Sequence, residues 1–158
     1  MSDEEVVLKD LPQRKVVYVP CKGSWRQLPD MLARLFEYVS RSGIKTEGPP
    51  SGFYHNTPGE VAIEELSWEV CYPVQPNISK LANDKLKFGV REIPATRVAA
   101  IIHRGLHRKA SPSYEKLQGW IKAHGLKVCG PAEELYLTDI NKTNEEQRIE
   151  IRLPVCPA

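Results

Sequence analysis

The apolar positions of the chain follow two periodicities, one typical of strands and one typical of helices. Short β-branched runs at 16–20 and 98–102 predict strands. Apolar residues at helical spacing over 28–39 and again over 114–121 predict two amphipathic helices. Further strands are predicted at 53–56, 61–74, 135–138 and 149–155. The order strand–helix–strand–strand therefore occurs twice.

The two occurrences are related in sequence. A shift of 82 residues aligns 6–56 with 88–138 and gives 10 identities among 51 positions, including three glycines and two prolines. Gly43 and Gly125 match each other, and each stands where a left-handed residue would end the preceding helix. We therefore predict an internal duplication, with copies at about 5–74 and 88–155 and a link at 75–87.

A single copy has one helix for its sheet, so the helix covers one face and leaves the other bare. We expect an α+β fold, a tandem duplication of a β-α-β-β unit with pseudo-twofold symmetry. The open faces of the antiparallel sheets would then surround a central groove, and pockets form preferentially at such junctions. Residues 1–158 would form a single domain of two copies.

Strand alternation assigns side chains to this groove. Leu135 and Leu137 suit the helix-covered core, so the alternating residues of the same strand point to the groove. The same alternation applies to the strands that contain Phe53 and Ile151 as core residues. A tyrosine beside a carboxylate suits flat or cationic ligands, and a groove carboxylate can act as a general acid or base. The predicted groove residues are Glu134, Tyr136, Glu150 and Tyr54.

Four aromatic residues allow two interpretations. Trp25 follows a strand-to-helix turn, where it would either form a lid over the groove or pack at the helix start. Trp68 would change face with one β-bulge. Tyr18 and Tyr72 suit either the groove or the core, and all four are candidate ligand contacts.

Composition and charge exclude several functions. Lys and Arg number 22 and Asp and Glu 20, so the net charge of +2 provides no strong field for nucleic acid. No apolar run approaches the ~20 residues of a membrane helix, and the acidic N-terminus does not resemble a secretory signal. We expect a cytoplasmic protein that binds neither membranes nor nucleic acid directly.

Cofactor and metal signals are weak. The four cysteines are scattered without a C-x-x-C pair, so free thiols are expected rather than a zinc site. His103 and His107 are four residues apart but have no acidic or cysteine ligand at useful spacing. The sequence contains no phosphate-binding glycine loop. We therefore expect no metal and no cofactor.

Taken in order, four segments resemble the GyrI-like family, the effector-binding domain of AraC-type and multidrug-sensing MerR-type regulators and of free-standing proteins. They are 94–105, the Tyr-x-x-Leu-x-x-Trp helix at 114–120, the Gly-Pro-x-x-Glu-Leu-Tyr segment at 130–136 and the ending at 150–155. The resemblance implies a central ligand groove that contains a glutamate among aromatic residues. By position, Glu134 resembles that glutamate and Glu150 a second acidic position.

The resemblance leads to three functional hypotheses. The first is a stand-alone small-molecule binding protein that takes hydrophobic, aromatic or cationic ligands in the groove. The second is a hydrolase that detoxifies cyclopropane-containing or other electrophilic molecules, with Glu134 as the catalytic residue. The third is a gyrase-inhibitor-like module that binds a protein. No helix-turn-helix pattern is found in the sequence, so control of transcription would require an unknown protein partner.

Overall fold

A computed structural model describes residues 5–78, 88–105, 110–138 and 147–158. They form an α+β fold of antiparallel strands and two helices, which confirms the predicted class. The duplication and its pseudo-twofold symmetry remain predictions. Neither helix in the described part of the chain is long and apolar enough to span a membrane. In chain order the elements are β1 (Val7–Leu11), β2 (Arg14–Lys22), α1 (Leu28–Arg41), β3 (Ser51–Tyr54), β4 (Ser67–Val74), β5 (Gly89–Ile93), β6 (Thr96–Arg104), α2 (Ser111–Ala123), β7 (Leu126–Val128), β8 (Ala132–Tyr136) and β9 (Arg148–Pro157).

The chain divides into two compact units, which we describe separately. Unit I comprises Gln13–Pro94, and unit II comprises Met1–Pro12 together with Ala95–Ala158. Most of the link predicted at 75–87 lies outside the described residues.

Unit I is an antiparallel sheet in the order β3-β4-β2-β5, with α1 packed on one face. The apolar stripe of α1 is buried, and Phe36 of α1 meets Tyr72 of β4 at 6.2 Å between ring centroids. Tyr72 lies opposite Val17 in the strand register, and such partners share a face. The side of the sheet that carries Val17 and Val70 is therefore the helix-covered face.

Unit II is an antiparallel sheet in the order β1-β6-β9-β8, and β7 pairs with another part of β9. Leu117 and Ile121 of α2 are buried, and Ser113 at the start of α2 lies 2.9 Å from His103 of β6. Since His103 is opposite Ile149 in the register, α2 covers the face that carries His103 and Ile149.

Strands β1 and β5 were not predicted, and they determine which residues form each unit. β1 begins the first predicted copy but pairs with β6 of the second, whereas β5 begins the second copy but pairs with β2 of the first. β1 and β5 begin at residues 7 and 89, so they also follow the 82-residue shift. Their five-residue sequences, VLKDL and GVREI, are too short and mixed for a clear alternation.

Other expectations need local correction. The strand predicted at 61–74 begins only at Ser67, because a 3-10 turn occupies Ile63–Glu65. Leu137, predicted to be in the core, is exposed. Trp120, which belongs to the apolar stripe predicted over 114–121, is only half-buried and stacks on His124, with ring centroids 3.9 Å apart.

The left-handed glycines predicted after both helices are confirmed, and they allow a matched test. Gly43 and Gly125 each have φ of +71°. We expect Gly125→Ala to lower the free energy of unfolding by about 1–2 kcal/mol, because an L-residue is strained in that conformation. Gly119 lies within α2 and has open space where a Cβ would stand, so Gly119→Ala is expected to raise it by about 0.5–1 kcal/mol. Urea unfolding measures both changes, and equal effects would show that the left-handed backbone at Gly125 does not require glycine.

Candidate functional site

Each sheet has a face turned away from its own helix, which we call the distal face. In unit II the register places Glu150 opposite Ile102 and Leu135, on the side away from α2. In unit I it places Glu69 opposite Phe53 and Pro20, on the side away from α1. The distal face of unit I therefore carries the buried Glu69. That of unit II carries the buried Glu150 and also Glu133, which is opposite Arg152 in the register and is buried too.

Glu134 and Tyr136 do not share the distal face with Glu150, which corrects the sequence argument. They lie opposite Ile151 and Ile149, on the face that α2 covers. The hydroxyl of Tyr114, on α2, donates a hydrogen bond to Glu134, and the Tyr136 hydroxyl donates another at 3.2 Å. Glu134 thus links α2 to β8 beneath the helix. β8 has apolar residues in both phases, so alternation does not show which of its faces the helix covers.

The distal face of unit II carries a network of ion pairs around Glu150. Lys9 Nζ lies 2.7 Å from one carboxylate oxygen, and Arg152 Nε lies 2.5 Å from the other. Arg152 also approaches Glu133 at 3.4 Å. The Glu150 side chain is 8% exposed and that of Lys9 39%, so the cation forms the accessible part of the pair.

These contacts determine the ionisation of Glu150. Burial by itself raises the pKa of its carboxyl group. The hydrogen bonds and positive charges of Lys9 and Arg152 outweigh burial, so the pKa of Glu150 is lowered from its ordinary value. Glu150 is therefore ionised at neutral pH and balanced by two cations.

A cavity of about 370 Å³ opens beside this network, within the size range of small-molecule sites. Apolar residues of β6 line it, and so does the Lys9–Glu150 ion pair. The lining residues are Glu5, Val7, Lys9, Ala100, Ile101, Ile102 and Glu150.

Three predicted aromatic contacts form a cluster on the helix-covered side of unit I. The Trp25 ring meets Tyr54 edge-on at 5.0 Å, and Tyr54 stacks with Trp68 at 6.2 Å. Trp68 is almost fully buried, and its indole N–H donates to the Gly23 carbonyl at 2.9 Å. The prediction that Tyr54 faces away from the helix was wrong in phase, since Phe53 occupies the distal face instead.

The two remaining tyrosines, which the sequence left open, lie on opposite faces of unit I. Tyr72 packs beneath α1, and burial raises the pKa of its hydroxyl. Tyr18 lies on the distal face and packs with Val16, Phe53 and Cys71.

The charged partners on the distal faces escaped sequence reasoning. Lys9 reaches from β1 across β6 to Glu150 on β9, and Arg91 reaches from β5 across β2 to Glu69 on β4. Lys9 and Arg91 are 82 residues apart, which is the shift of the predicted duplication, so they occupy corresponding positions in the two predicted copies. Glu69 and Glu150 are 81 residues apart, one residue less than this shift.

No group of three or more potential metal ligands occurs within the described residues. His107, one member of the histidine pair considered from the sequence, lies outside them. His103 is buried, and its Nδ1 lies 2.9 Å from the Ser113 hydroxyl. The four cysteines, all within the described ranges, form no disulfide bond.

Comparison with known proteins identifies the family. The family model of the GyrI-like small molecule binding domain matches residues 4–155 of the sequence, so the chain belongs to this family. The C-terminal domain of EcmrR superposes with a TM-score of 0.83 at 18% identity, covering 99% of this chain and 100% of that domain. SAV2435 bound to tetraphenylphosphonium superposes with a TM-score of 0.60 at 18% identity, covering 96% and 94%.

EcmrR has also been solved as a longer chain in a complex with DNA. It superposes with a TM-score of 0.83 at 19% identity, and the match covers 98% of this chain but 58% of that EcmrR chain. At these identities the structural likeness shows the fold alone. No curated protein matches the chain.

The lowered pKa of Glu150 predicts a pH dependence of stability. Its folded pKa lies below the ordinary value of 4.5, so its contribution is complete above that value and is lost as the pH falls through the folded pKa. We expect the free energy of unfolding to fall between about pH 5 and pH 3, and to fall less in Glu150→Gln. Urea unfolding at several pH values measures the difference between the two proteins, and parallel curves would contradict the prediction.

Proposed function

We propose that this protein binds a hydrophobic or aromatic small molecule, including cationic ones, with the unit II cavity as the contact surface. The observation that carries the proposal is the cavity of about 370 Å³, which is lined by apolar residues of β6 and by the Lys9–Glu150 pair. Apolar walls supply hydrophobic affinity, and a few placed charges select the ligand. The family, which is a small-molecule-binding one, supports this function.

The ligand charge depends on which member of the ion pair meets the ligand. SAV2435 binds tetraphenylphosphonium, a lipophilic cation, and we propose the same class here. A cation would reach Glu150 once the partly exposed Lys9 moves aside, leaving Arg152 in place. That the ligand lies in a groove between the two predicted sequence copies remains a prediction.

Two isosteric ions of opposite charge provide the experiment. We expect tetraphenylphosphonium to stabilise the protein in a saturable thermal-shift titration, and tetraphenylborate to bind more weakly. If neither ion nor any other aromatic ligand gives saturable binding, the proposed function is wrong. If tetraphenylborate binds more tightly, the ligand class is anionic. Mass spectrometry after incubation with a cyclopropane-containing electrophile would reveal a hydrolase by a ring-opened product one water heavier.

A steric pair of variants locates the site. Val7 lines the cavity, whereas its neighbour Leu8 points to the other side of β1, and both are similarly exposed. We expect Val7→Trp to weaken ligand binding at least about 10-fold by filling the cavity, while Leu8→Trp leaves it unchanged. Equal effects would place the ligand elsewhere.

Glu134 remains a second candidate ligand contact, and conservative variants separate it from Glu150. If Glu134 contacts a cation, Glu134→Gln weakens binding of that cation. If it serves to hold α2 through the Tyr114 hydroxyl, the variant lowers the melting temperature and leaves the affinity intact. For Glu150→Gln we expect selective loss of cation affinity, with little change for a neutral aromatic ligand. Circular dichroism checks that each variant is folded.

A further inference from the structure

The distal face of unit I contains the components of a cation site around Arg91. Its guanidinium forms an ion pair with the Glu69 carboxylate. The Arg91 Cζ atom lies 5.5 Å from the centroid of the Tyr18 ring and 5.2 Å from that of Phe53. A carboxylate with two aromatic ring faces is the arrangement that proteins use to hold organic cations.

The exposed fractions of the side chains indicate that the guanidinium of Arg91 is held by the two rings and the Glu69 carboxylate. The Glu69 side chain is 9% exposed and that of Arg91 33%. Among the described residues, Arg91 Nε is buried without a hydrogen-bond partner, so this edge of the guanidinium is held by packing. A guanidinium stacked on aromatic rings tolerates this better than an ammonium, because it is more weakly hydrated.

The backbone of β5 is shaped to place the Tyr18 ring. A Cβ atom at Gly89 would stand 2.8 Å from Tyr18 Cε1, so the ring lies directly against the strand where a side chain would otherwise be. Gly89 is opposite Tyr18 in the register, two residues before Arg91. The glycine therefore allows the ring to lie beside the guanidinium.

We propose that Glu69, Tyr18 and Phe53 form a binding site for guanidinium-type organic cations, and that Arg91 occupies it as a tethered cation. Arg14 also approaches the Phe53 ring, at 5.8 Å, so two guanidinium groups already border this ring. An external cation binds by replacing Arg91, because a third positive charge here would be repelled. Arg91 thus determines which ligands unit I accepts, a role that goes beyond the proposed function of the unit II cavity.

Chemical rescue tests the site directly. Arg91→Ala vacates the position while leaving Glu69 and both rings, and ethylguanidinium chloride replaces the missing group. We expect a lower melting temperature in the variant. Ethylguanidinium should then raise it saturably, by about 3–5 °C at ten times the dissociation constant. N-ethylurea, a neutral molecule of the same shape, should not raise it, and sodium chloride controls for ionic strength.

Two further variants make the test specific. Arg97→Ala removes an arginine whose Nε lies 2.8 Å from Asp10, but both side chains are exposed, so we expect no rescue there. Arg91→Ala combined with Glu69→Gln should lose the rescue. If Arg91→Ala does not fold alone, ethylguanidinium in the refolding buffer should recover folded protein. If the folded variant shows no saturable rise in melting temperature, or if an unfolded variant is not refolded by ethylguanidinium, the proposal is wrong. Either result would hold even if the unit II cavity binds its ligand.

Discussion

Glu150→Ala is expected to lower the free energy of unfolding by about 3–5 kcal/mol, which is typical of a buried ion pair that loses one partner. The substitution leaves Arg152, whose side chain is 12% exposed, with Glu133 at 3.4 Å as its remaining described ion-pair partner. Lys9 reaches water more easily because it is partly exposed. The cost therefore comes mainly from the buried arginine. Urea denaturation at pH 7 measures this change.

Asp10→Ala is the matched control for this prediction. Asp10 also pairs with an arginine of unit II, but it is exposed, and its loss should change stability little. Glu150→Gln should fall between the two, because the amide oxygen still accepts a hydrogen bond. If Glu150→Ala is as mild as Asp10→Ala, the network around Glu150 contributes nothing to stability.

Trp68→Ala should destabilise unit I by about 3–5 kcal/mol, as truncation of a large buried aromatic residue does. Trp68 is 1% exposed, stacks with Tyr54 and donates its indole N–H to the Gly23 carbonyl. The substitution leaves a cavity beneath α1 and an acceptor without its donor. Calorimetry or urea denaturation, followed by circular dichroism, provides the measurement.

Trp120→Ala removes the same side chain from a half-buried position on α2 and should cost clearly less. Trp68→Phe preserves most of the packing and deletes the hydrogen bond, so it separates the two contributions. Comparable losses for Trp68→Ala and Trp120→Ala would show that the Trp68 cluster is not a core of unit I.

Local signals in the sequence predicted the helices well. The apolar stripe of α1 and the left-handed positions at Gly43 and Gly125 depend on neighbouring residues, so they are visible without tertiary information. The faces of β3 and β8 could not be predicted the same way. Phe53 and Leu135 are apolar but lie on the distal faces. Alternation alone does not show which apolar set a helix covers.

The candidate site was predicted in part. Alternation placed Glu150 correctly relative to Ile149 and Ile151, because β9 has an unambiguous pattern. Its partner Lys9 is 141 residues away in sequence, and no local rule connects the two. Glu134 was grouped with Glu150 because the phase of β8 was wrong.

The reciprocal pairing of β1 and β5 has a consequence for fragments and for synthesis on the ribosome. A fragment ending at residue 74 lacks β5, so β2 would present an unpaired edge, and such edges promote aggregation. Residues 13–94 contain every described strand of unit I. In contrast, β1 cannot form its sheet until β6, about 90 residues later in the chain, has been synthesised. Unit I can thus complete its sheet during translation, and the N-terminal segment joins its sheet late, at the entropic cost of closing a long loop.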